Sequence, residues 1–103
     1  MAIISFSASA TANPWPTFAN LSEDRYWELV KDTLEKVFRE PSTKAADDLR
    51  QDVAQSPREE QIIFYHAEPL DVAADIVGKV PEAHQLDQYQ QLVKDRLRTW
   101  GIP

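Results

Sequence analysis

The chain has no cysteine among its 103 residues. Disulfides, thiolate metal sites, iron–sulfur ligation and a cysteine nucleophile are therefore excluded. Only two glycines are present, Gly78 and Gly101. Phosphate-cradling loops and hairpin-rich β folds both depend on glycine-dense turns, so neither fits. A Gly-x-Ser-x-Gly nucleophile elbow cannot be built either. Cationic charge is scarce: 11 Lys and Arg stand against 17 Asp and Glu, giving a net charge of −6. The deficit is even, with residues 1–56 and 57–103 carrying −3 each. Binding to a phosphate backbone or an anionic membrane draws its strength from clustered Lys and Arg, and no such cluster occurs. No apolar run approaches the ~20 residues of a membrane span. The first dozen residues imitate a secretory leader in their small side chains, but no Lys or Arg precedes their short apolar stretch. A cytoplasmic protein is the expectation.

What the sequence does hold is punctuation. Seven prolines, with serines placed to cap, divide the chain into helix-length pieces. Residues 1–21 contain no charged side chain. Pro14 and Pro16 bias their predecessors toward extended backbone, so this segment reads as an extended arm carrying Trp15 and Phe18. The rest, 22–103, reads as one helical domain.

Five helices are expected. The first, about 23–39, has Ser22 as N-cap and Glu23 and Asp24 at the positive end of its dipole. Trp27, Val30, Leu34, Val37 and Phe38 recur at i+3 and i+4 and mark its inward stripe. The second, about 43–55, takes Ser42 as cap and carries a narrow stripe of Ala45 or Ala46, Leu49 and Val53. The third, about 57–67, opens on Ser56-Pro57-Arg58-Glu59, which combines a capping serine, proline at the first helical position and glutamate three residues after the cap. Gln61 to His66 is strand-like in composition, so a strand at 61–66 paired with residues 3–8 competes with the helix. The fourth, about 69–77, opens on Pro69 and ends at Gly78; alternatively Pro69 kinks one helix from 57 to 77. The fifth, about 82–100, carries a seam of Leu86, Tyr89, Val93, Leu97 and Trp100. The expected fold class is all-α, a compact bundle of four or five helices with an N-terminal arm.

Candidate chemistry is sparse. Tyr65, His66, Glu68 and His84 are the residues from which a polar site or a ligand pocket could be made. A metal reading would gather His66, Glu68, His84 and Asp87, but no two show the i,i+3 or i,i+4 spacing of helical ligand motifs. No metal and no cofactor are expected; His66 reads as a cap at a helix C-terminus and His84 as exposed. The pairs Glu23-Asp24, Asp47-Asp48 and Glu59-Glu60 fall at helix starts or on polar faces and read as solvated charge. Residues 70–98 are similar to a helix-turn-helix in the Ala74…Gly78 spacing, which makes a DNA-binding regulator one alternative. The helix that would read the base edges offers Glu82, His84, Gln85, Asp87, Gln88 and Gln91 in place of Arg and Lys. Trp27 and Trp100 lie on apolar seams and read as core. Trp15 lies on none, and with Phe18 it is the candidate anchor on another chain, because tryptophan is favoured at interface hot spots. The expected function is a non-catalytic protein acting through protein–protein contacts, with a protein partner or with its own copy as a homodimer.

Overall fold

In a computed structural model the chain is described at residues 21–41 and 43–101, and every regular element there is helical. The helices are α1 (Glu23–Lys36), α2 (Thr43–Ala54), α3 (Arg58–Phe64), α4 (Pro69–Val77) and α5 (Ala83–Thr99). The all-α bundle expected from the sequence is present. Of the alternative strand at 61–66, residues 61–64 belong to α3 and 65–66 to the turn after it, and α3 and α4 are separate helices, not one kinked rod. The expected arm, with Trp15 and Phe18, lies outside the described residues, as does Ser42.

Helix α1 is the hub. It packs against α4 most extensively and also against α2 and α5. A helix with neighbours on several sides must bury more than one stripe, and α1 does. Tyr26, Leu29 and Thr33 are buried beside the expected Trp27, Val30 and Leu34. Thr33 is tolerated at zero exposure because its hydroxyl donates to the Leu29 carbonyl at 2.7 Å. Opposite α1 lies α4, the most apolar helix, with Val72, Ala73 and Ala74 buried. The two alanines carry little bulk, which lets the two backbones approach closely.

The ends follow local chemistry. The Ser22 hydroxyl accepts from the Arg25 N–H at 3.3 Å, as expected of an N-cap. Gly78 closes α4 in the left-handed region at φ 68°, with Lys79 N–H returning to the Ala74 carbonyl and Gly78 N–H to that of Asp75. That pairing satisfies carbonyls which otherwise lack partners at a helix end. Helix α1 stops at Lys36, short of the expected 39. Its last turn widens, with the Phe38 N–H reaching the Thr33 carbonyl, and Arg39 then takes φ 59°.

Three local expectations are corrected. Pro57, one residue after Ser56, holds the N-cap position of α3. The Ser56 hydroxyl donates instead to the Asp52 carbonyl in the last turn of α2. Helix α3 ends at Phe64, because Tyr65 to Ala67 already turn the chain toward α4. Leu86, at the head of the α5 seam, is 43% exposed, and the buried residues of α5 begin only at Tyr89. Trp100 is half-buried, with the Arg25 guanidinium 5.3 Å from its ring centre.

Salt bridges tie the outer helices to the hub. Asp24 pairs with Arg50 and Lys31 with Asp47 toward α2, and Asp32 with Arg96 toward α5. Beyond the helix ends, Glu40 pairs with Lys79.

Candidate functional site

Consecutive residues of α1 grip α3. Trp27 stacks on Phe64 with ring centres 5.6 Å apart, and its Nε1 donates to the Tyr65 hydroxyl at 3.0 Å. Tyr26 meets Tyr65 edge-on at 5.0 Å and donates its own hydroxyl to the Ala67 carbonyl at 2.9 Å. Burial drives the Tyr26 hydroxyl well above the ordinary phenol range, aided by Tyr65, Asp71 and Glu68, so it remains a donor. These contacts fix α3 against the start of α1.

On the outer side of that junction lies an open groove of about 440 Å³. One wall is the entry to α1: Leu21, Ser22 and Glu23. The other is one face of α3 and the turn after it: Arg58, Gln61, Ile62, Tyr65 and His66. The spacing 58, 61, 62, 65 is a single helical stripe. Each polar group on the α3 wall with a structural partner is held in place. The Gln61 amide donates to the Ser56 carbonyl at 2.8 Å and closes the end of α2. Tyr65 donates to Glu23 Oε1 at 3.3 Å while accepting from Trp27. Its hydroxyl is pushed up by burial, a rise that the Trp27 hydrogen bond opposes. His66 Nδ1 lies 2.7 Å from the Ile62 carbonyl, the helix-end capping expected of it.

The apolar part of this surface is exposed. Ile62, inside the groove, is 51% exposed and Ile63 beside it 55%. Two adjacent half-exposed isoleucines on one seven-residue helix form a local apolar patch rimmed by Arg58, Glu59 and Glu60. The sequence reading passed over them, because Gln61 to His66 reads as strand or core by composition. The signal that would have found them is the pair Phe64 and Ile62: the helix can turn only one of these inward.

The four polar candidates do not form one site. Tyr65 and His66 share the groove. Glu68 is half-buried at the N-cap of α4, where desolvation, then the neighbouring Asp71, raises its carboxyl above the usual range. His84 is exposed in the first turn of α5. That turn sits at the opposite end of α1, since the Gln85 amide reaches the Val37 carbonyl while Tyr65 bonds Glu23. The 14 residues of α1 separate the two ends by about 20 Å at ~1.5 Å per residue. Among the described residues no three His, Asp or Glu gather in a way that could hold a metal ion.

The helix-turn-helix spacing corresponds to α4, Gly78 and α5. The two helices each pack on α1 and touch each other little. His84 and Asp87, where that motif wants packing residues, are exposed. No described helix is long and apolar enough to cross a membrane. Family models, curated proteins and solved structures were all compared with the chain, and none matches.

Proposed function

We propose that this chain is a non-catalytic interaction module whose contact surface is the outer face of α3, and that it associates with copies of itself through that face. The observation that carries this reading is the exposed pair Ile62 and Ile63 beside an open groove. Leaving two isoleucines half in water forgoes about 1.5–3 kcal/mol of burial. The groove's polar residues support it as well. Tyr65 and Gln61 spend hydrogen bonds on joining neighbouring elements and His66 spends one on capping the end of α3, which is scaffolding work.

The test is concentration-dependent light scattering and sedimentation on the full chain and on an Ile62→Asp/Ile63→Asp variant. Association weakened at least tenfold in the variant is expected, with an unchanged helical circular dichroism spectrum. A parent chain that stays monomeric at millimolar concentration defeats the reading.

A second reading is favoured by one observation. Tyr65 and His66 do share a groove of a size that small ligands occupy, a few hundred cubic ångströms. In that case a small molecule would shift the amide resonances of Arg58, Ile62 and His66 at concentrations where the mass does not change.

A further inference from the structure

The exposed stripe of α3 is complementary to itself. Glu59, Ile62, Ile63 and His66 follow the spacing i, i+3, i+4, i+7, which lines their side chains along one side of a helix. Tyr65 keeps right-handed helical backbone and the His66 N–H still reaches the Ile63 carbonyl, so the stripe continues into the turn. All four side chains are exposed, while Phe64 is buried on the opposite side. Two isoleucines thus form the centre, with a carboxylate at one end and an imidazole at the other. Resting on the reading of α3 as the contact surface, we propose that α3 pairs antiparallel with α3 of a second copy, about a two-fold axis between Ile62 and Ile63. Glu59 of each copy then meets His66 of the other.

Symmetry dictates which residues meet. In a two-fold contact residue i touches residue j and j touches i. Positions equidistant from the axis face each other: Ile62 with Ile63, and Glu59 with His66. The two charged pairs lie about 10 Å apart at ~1.5 Å per residue, one on each side of the apolar centre. A parallel arrangement sets Glu59 against Glu59 and His66 against His66, and like charges reject it. The isoleucines supply the burial, and the end pairs fix the register.

Local chemistry leaves both end groups available. His66 Nδ1 lies 2.7 Å from the Ile62 carbonyl, which only accepts, so Nδ1 carries a hydrogen and Nε2 is left for an outside partner. A carboxylate also only accepts, so in the contact Nε2 carries a hydrogen too and the ring is a cation. Glu59 and His66 of one chain are two helical turns apart, too far to pair with each other. Neither has an ion-pair partner among the described residues. Glu23, the acid on the groove wall facing His66, already accepts from Tyr65, and Arg58 is the cation on the α3 wall.

Sedimentation of the full chain tests the register. Two copies at −6 each repel, so changing any exposed acid to lysine lowers that repulsion and by itself favours association. Glu35→Lys, an exposed change on α1 outside the contact, should tighten association or leave it within twofold of the parent's. Glu59→Lys makes the same change in charge and should instead weaken association at least fivefold. Adding His66→Glu to Glu59→Lys should restore the parent's value to within twofold. His66→Arg, which keeps a cation at that end, should associate at least as tightly as the parent. Helical circular dichroism should be unchanged throughout, since all the altered side chains are exposed. The antiparallel pairing is overturned if Glu59→Lys behaves as Glu35→Lys does, if His66→Glu fails to rescue it, or if His66→Arg is looser. In each of those cases the contact surface still stands, provided that Ile62→Asp/Ile63→Asp weakens association. If that double variant leaves association intact, the contact-surface reading fails and the pairing fails with it.

Discussion

Two residues share one backbone conformation at different cost. Gly78 at φ 68° and Arg39 at φ 59° both stand in the left-handed region after a helix. A Cβ there crowds the following carbonyl, a penalty of about 1 kcal/mol that glycine avoids. Around Gly78 nothing lies within 4 Å of where a Cβ would stand, so only the backbone resists substitution. Gly78→Ala should therefore destabilise by about 1 kcal/mol. Arg39 is exposed, and Arg39→Gly should stabilise by about 0.5–1 kcal/mol despite the freedom that glycine adds to the unfolded chain. Urea titrations of both variants check the opposite signs. The left-handed glycine was legible in the sequence, because Gly78 follows an apolar run at a helix end. Arg39 was not: nothing in its side chain asks for that conformation, which follows from the widened last turn of α1.

At the scale of the element, α3 is short and depends on its neighbours. Seven residues cannot sustain a helix in water, and this one persists because Phe64 and Tyr65 are held by Tyr26 and Trp27. Its register follows from the same contacts. Turning Phe64 inward to stack on Trp27 turns Ile62 outward, and that is how an apolar side chain comes to lie in an open groove. The hinge of the arrangement is the bond from Trp27 Nε1 to the Tyr65 hydroxyl. Tyr65→Phe keeps the rings in contact but leaves a buried indole N–H without an acceptor. The cost should be about 1–2 kcal/mol, a fall in Tm of roughly 4–16 °C for a domain near this size. Thermal melts check it, and an unchanged Tm would mean that the indole finds another acceptor. Element existence was legible throughout: proline and capping chemistry mark all five helices to within a few residues. Element exposure was legible less often. Leu86 sits on a clean heptad-like seam in the sequence and is nevertheless 43% exposed, because periodicity names a face and cannot supply the neighbour that covers it.

For the whole molecule, charge and burial are coupled at the α3–α4 turn. Glu68 and Asp71 are half-buried, and desolvation raises both above the usual carboxylate range, with Asp71 adding to the rise at Glu68. The folded chain thus holds protons here to higher pH than the unfolded chain. The stability from these groups is fully present below the unfolded carboxylate values, around pH 4, and is lost as pH rises through the raised folded ones. The net charge of −6 at neutral pH acts in the same direction by self-repulsion. Expected, then, is a parent-minus-variant difference in Tm, measured against Glu68→Gln, that becomes less favourable to the parent between about pH 4 and neutrality. A difference that is flat in pH, or that grows more favourable to the parent, contradicts the burial of Glu68. Neighbouring Tyr89 belongs to the same region. Its hydroxyl is buried against the backbone of Leu70 without meeting hydrogen-bond geometry, and desolvation, then Glu68, drives its titration upward.

The amino-acid sequence by itself determined the helical class, the places where the chain turns, the caps at Ser22 and Gly78, and the small stock of reactive side chains. All of these act over four or five residues, within reach of backbone hydrogen bonds and proline geometry. Only the tertiary structure decided that α1 would be buried on several sides, that His66 and His84 would stand at opposite ends of it, and that Ile62 would face outward. Each of those outcomes depends on contacts between residues some forty positions apart, such as Trp27 with Tyr65 and Val37 with Gln85. Such contacts are selected by how whole faces fit together, and no local pattern encodes that fit.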